Sequence, residues 1–97
     1  MTEAEINLAI AKIEYKELVI GLVGDEVEIL TDPNDEIKFV DYCNNWQDIG
    51  PIIERENMCL ECYNNEAIAY RIDGAFETRS ETPTKAAALC YLKMKGE

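Results

Sequence analysis

The stretch MCLECYNNEAIAYRIDGAFETR, residues 58–79, decides how the rest of the chain is read. Met58–Tyr63 alternates with the period of a strand, Asn64-Asn65 is a turn, and Glu66–Ile72 reads as a second strand. Asp73-Gly74 is a two-residue hairpin signal, so Ala75–Arg79 is expected to return as a third strand. Met58, Leu60 and Cys62 share one face of the first strand; Ile68, Tyr70 and Ile72 share one face of the second. The segment predicts a three-stranded antiparallel meander.

Helices flank it. Downstream, Thr82 is an N-cap with Pro83 at the first helical position, and Gly96 lies just past the end. Ala86, Leu89, Cys90 and Met94 mark the inner stripe, and Ala86-Ala87-Ala88 lets that helix approach a sheet closely. Upstream, Asn44-Asn45 caps a helix over 46–56, with Ile49, Ile52 and Ile53 at helical spacing. Pro51 has no amide to donate and belongs near that helix's start or at a kink. At the N-terminus, Thr2-Glu3-Ala4-Glu5 is a capping box. It opens a helix over 3–16 whose stripe is Ile6, Ala9, Ile10 and Ile13. Between these helices, Leu18–Val23, the break at Gly24-Asp25 and the alternation of Glu26–Leu30 are compatible with a hairpin. Thr31–Asp35 is a turn, and Ile37–Tyr42 is a further short extended piece. This order predicts one α+β domain over 1–97: an antiparallel sheet with about three helices, in a layered sandwich.

Nine Lys and Arg stand against 20 Asp and Glu, a net charge of −11. Nucleic acids are held through cationic contacts to phosphate, so that partner class is excluded. The second helix, the meander and the last helix do run in the order of a double-stranded-RNA-binding domain. The start of the last helix, however, offers only Lys85 to phosphates. The acidity gathers at Asp25, Glu26, Glu28, Asp32, Asp35, Glu36 and Asp41, against Lys38 alone. Such a run reads either as a solubilising face or as a contact for a basic partner. No apolar run reaches the roughly 18 residues of a membrane span. The acidic N-terminus is unlike a secretory signal, so the cytoplasm is the expected location.

No catalytic residue, cofactor or metal is expected. The chain has no His, which removes the usual general base and the commonest metal ligand. Cys59-Leu60-Glu61-Cys62 is a CxxC, but in a strand its thiols leave opposite faces. A zinc site or a helix-opening redox pair needs them together, and the other cysteines, Cys43 and Cys90, are isolated in sequence. Counted from Asp32, an EF-hand loop would require Gly and Glu where Ile37 and Cys43 stand. Gly21 and Gly24 are too sparse for a phosphate loop.

Three segments carry a family resemblance: INLAIAKI at 6–13, NWQDIGPIIEREN at 45–57, and TPTKAAALCYLKMK at 82–95. Together they resemble the small phage proteins typified by NinX and the related phage α-β-α sandwich domain. Residues 18–42 match least. The resemblance implies a phage or prophage accessory protein in the host cytoplasm, with helices on both faces of a sheet. It makes Trp46, Gly50, Pro51, Thr82 and Pro83 fold-defining positions and implies no activity, cofactor or site residue. The expected function is a small module binding a host or phage protein through the acidic segment, as a monomer or homodimer. The alternatives are a structural homodimer, or a cysteine-based enzyme or zinc protein.

Overall fold

The computed structural model describes residues 1–31 and 36–96. Helix α1 (Glu3–Tyr15) starts at the expected capping box. Thr2 Oγ1 accepts from the Glu5 amide at 3.1 Å, and Glu5 Oε1 accepts from the Thr2 amide at 2.8 Å. A short 3-10 turn, Lys16–Leu18, leads into β1 (Val19–Val23). The hairpin that the sequence allowed is formed: Gly24-Asp25 joins β1 to β2 (Glu26–Leu30). Gly24 takes φ +65°, a conformation glycine adopts without steric cost. The extended piece after it is β3 (Ile37–Val40), so the first sheet has strand order β1-β2-β3, antiparallel throughout.

Helix α2 (Trp46–Arg55) keeps Pro51 in its interior. It leads into the meander β4 (Met58–Tyr63), β5 (Glu66–Arg71) and β6 (Thr78–Ser80), a second antiparallel sheet of order β4-β5-β6. The expected two-residue hairpin at Asp73-Gly74 is not formed, and β6 starts three residues later than Ala75. Local side-chain bonding explains the wider loop. The Asp73 carboxylate accepts from the Ala75 amide and from Arg71. Phe76 takes φ +60° and lies under the Arg71 guanidinium, 5.4 Å from ring centroid to Cζ.

Helix α3 (Pro83–Met94) begins as read, with Thr82 Oγ1 accepting from the Lys85 amide at 3.3 Å. It is the centre of the molecule. Thr84, Ala86, Ala87, Ala88, Cys90, Tyr91 and Leu92 are all buried, far more than one stripe. The second sheet lies against it, and α1 and α2 also pack on it. Helix α1 in turn carries the first sheet. The chain is thus the expected α+β sandwich, with its strands divided between two sheets and its helices packed together at their seam.

Small side chains permit that seam. Ala67 and Ala69 of β5 face α3 and are fully buried with Ala86, Ala87 and Ala88. Ile68 leaves the other face of β5, opposite Glu61 and Arg79. Bulk on the inward positions of β5 would hold the helix away from the sheet.

A polar clamp closes the same seam. Arg55 of α2 grips Glu14 of α1 with two bonds, 2.9 and 2.8 Å, and Tyr91 of α3 donates to the same carboxylate. Bonding to Arg55, aided by Tyr91, holds the Glu14 carboxyl below its usual range against the opposing effect of burial. A carboxyl with a lowered folded pKa stabilises the fold above its unfolded value, roughly pH 4.3. That stabilisation is lost as pH falls through the folded value. Glu14→Gln is therefore expected to cost about 1–2 kcal/mol at pH 7. Urea midpoints measured from pH 7 down to pH 3 should fall less for the variant than for the parent chain.

Candidate functional site

Each strand of the first sheet sends alternate side chains to opposite faces. Val27 and Ile29 of β2 are fully buried beneath α1, with Val40 of β3 opposite Val27. The intervening positions form the outward face. There Glu28 stands between Gly21 and Phe39, Leu30 pairs with Ile37, and Glu26 pairs with Val23. Val23, Ile37 and Phe39 are 51 %, 53 % and 47 % exposed. A cluster of large apolar side chains open to water is the informative exception on a small protein's surface.

The predicted contact residues separate into three groups. Asp25, Glu26 and Glu36 are exposed, and Glu28 is half-buried in the middle of the outward face. Asp32 and Asp35 lie outside the described residues. Asp41 is buried and is withdrawn from the contact set by its own bonds. Its carboxylate accepts from Asn7 at 2.8 Å and from Asn44 at 2.9 and 3.2 Å. Lys38, the one cation of this acidic run, sits opposite Ile29 on the α1 side. Its ammonium donates to the Tyr15 hydroxyl at 3.3 Å. No cation among the described residues of β1, β2 and β3 therefore offsets Glu26 and Glu28 on the outward face.

Sequence reading missed the apolar half of this surface. The alternation Ile37-Lys38-Phe39-Val40 was visible, but bulk and polarity alone send Ile37 and Phe39 inward. Tyr15 provides a partner for Lys38 on the inner side, and Val40 meets Val27, so Phe39 is left outside.

Asn7 ties this sheet to the rest of the molecule. Its amide nitrogen donates to the Asp25 carbonyl and the Asp41 carboxylate, both at 2.8 Å, and its oxygen accepts from the Cys43 amide at 3.1 Å. One fully buried side chain thereby joins α1, the β1–β2 turn and the loop from β3 to α2.

The remaining candidate chemistry is dispersed. Cys59 and Cys62 leave opposite faces of β4, half-buried and exposed respectively. Cys43 and Cys90 are buried in separate places, and burial pushes the Cys43 thiol up to about 12, aided by Glu3 and Asp41. Among the described residues, no group of three or more acidic, Cys or His side chains is gathered for a metal. No helix is long and apolar enough to cross a membrane among those residues. A pocket of about 110 Å³ lies between the end of α1, β3 and α2, lined by Glu14, Tyr15, Lys38, Tyr42 and Asp48. It is small beside the roughly 300–1,000 Å³ of ordinary ligand sites. No family model matches the chain, and no curated protein matches it.

Asn7→Ala is expected to strand the Cys43 amide and the Asp25 carbonyl and to leave the buried Asp41 carboxylate to Asn44 alone. At about 1–3 kcal/mol per orphaned group, the loss should reach about 2 kcal/mol or more in urea denaturation. Asp25→Ser, which leaves the backbone contact in place, should shift stability by no more than about 0.5 kcal/mol.

Proposed function

We propose that this chain is a small protein-binding module whose contact surface is the outward face of the β1-β2-β3 sheet. The observation that carries the reading is the coexistence there of exposed Val23, Ile37 and Phe39 with Glu26 and Glu28, and with no cation among them. Apolar area supplies the adhesion, and the carboxylates choose a partner with Lys or Arg beside its own apolar contacts. Burying these carboxylates against a neutral or acidic surface would leave them unpaired at a cost of several kcal/mol.

The setting we propose for this module is a phage or prophage accessory protein acting in the host cytoplasm on a host or phage protein. Its support is the resemblance of residues 6–13, 45–57 and 82–95 to the NinX-like phage proteins. Those residues supply much of α1, α2 and α3, the helices that carry the sheet.

Affinity capture tests the reading with three baits: the parent chain, Ile37→Ser/Phe39→Ser, and Glu26→Lys/Glu28→Lys. A basic protein held by the parent should be lost by both variants and released as salt rises. Equal retention by all three baits would remove the outward face from the interaction.

A further inference from the structure

The first sheet has an edge as well as a face, and the two differ in chemistry. β1 pairs with β2 on one side only, so its other side presents unpaired backbone donors and acceptors. Its sequence, Val19-Ile20-Gly21-Leu22-Val23, has no charge and no proline. Ile20 and Leu22 are 54 % and 43 % exposed. The other outer strands carry the charges that ordinarily guard an edge: Lys38 in β3, Glu61 in β4 and Arg79 in β6. β1 is the unguarded one.

We infer that the β1 edge is a self-association site, which pairs antiparallel with β1 of a second copy and makes one six-stranded sheet. The occupant follows from the edge's own sequence, in which Ile20-Gly21-Leu22 is its own antiparallel complement. Two copies each carrying −11 repel wherever acidic surfaces meet. β1 is the outer strand where they can touch through neutral residues. A two-fold pairing centred on Gly21 sets Ile20 of each copy against Leu22 of the other, apolar on apolar. Gly21 at the centre has open space around it, so two backbones can approach there without side-chain obstruction. Glu28 stands one strand in from the edge. Its two copies would lie three strand spacings apart, about 14 Å. That exceeds the roughly 8–10 Å over which such charges act at physiological salt. The irregularity between Val19 and Gly21 limits the length of regular pairing and makes this a modest, concentration-dependent dimer.

The edge contact does not depend on the proposed partner surface, and salt separates the two. Self-association between acidic copies should tighten as salt rises, whereas capture of a basic partner should weaken. Sedimentation equilibrium of the full chain at micromolar to millimolar concentration, at low and high salt, is the test. The parent chain should approach twice its 11.0 kDa mass, at lower concentration in high salt. Ile20→Lys and Leu22→Lys should each remain monomeric with unchanged far-ultraviolet circular dichroism, and Phe39→Ser should still dimerise. Two lysines at different positions guard against one of them simply unfolding the strand. A monomer at every concentration and salt would overturn the inference. So would a dimer that survives both lysine variants, or one that Phe39→Ser abolishes.

Discussion

Three hydrogen bonds at one buried amide hold the first sheet and the loop that leads to α2 in register with α1. Asn7 lies on the face of α1 that would otherwise be wholly apolar, and its amide atoms meet the Asp25 carbonyl, the Asp41 carboxylate and the Cys43 amide. A buried polar group of this kind is costly unless fully paired, and pairing it restricts the alternatives open to the chain. The β1–β2 turn cannot slide along α1 without breaking the Asp25 bond. The loop from β3 to α2 cannot shift without stranding the Cys43 amide. The network continues through Asn44, which reaches both Asp41 and the Glu3 carboxylate, and through Thr84 of α3, whose hydroxyl donates to the Cys43 carbonyl. The start of α1 and the start of α3 are thereby fixed against the same loop.

From that anchor, the packing follows from size. α3 is buried nearly all round because it must serve the second sheet on one side and two helices on others. Only small residues let it do so: Ala86, Ala87 and Ala88 on the helix, Ala67 and Ala69 on β5. At the far end, Glu14, Arg55 and Tyr91 join the three helices through one carboxylate. Polar pairing at two ends and close alanine contact between them position the seam.

The first sheet is then left with one covered face and one open face. Its open face is apolar and acidic together, and its β1 edge is apolar and neutral. Both are built from β1, β2 and β3. The helices do the internal packing.

Much of the fold was legible because it rests on local chemistry. The Thr2–Glu5 capping box, the Thr82-Pro83 helix start, the Gly24 turn and the β4–β5 hairpin are decided by residues within a few positions of one another, and each stands where its local rule puts it. Less legible was anything set by what a strand meets across space. Ile68 outranks Ala67 and Ala69 in apolarity, yet the alanines face inward because α3 needs the room. Ile37 and Phe39 outrank Lys38, yet Lys38 faces inward because Tyr15 waits there. Asp41 reads as one more acidic surface residue, and Asn7 falls outside the apolar stripe of Ile6, Ala9, Ile10 and Ile13. Only the meeting of the two makes the pair the buried junction of the domain. The sequence by itself determined the helix boundaries, the turns at Gly24-Asp25 and Asn64-Asn65 and the excess of negative charge, because these depend on backbone propensity and composition. The tertiary structure decided which faces are covered and which acidic residues remain available. Those depend on shape and hydrogen-bond partners that arrive from 34 or 36 residues away, as Asp41 and Cys43 do at Asn7.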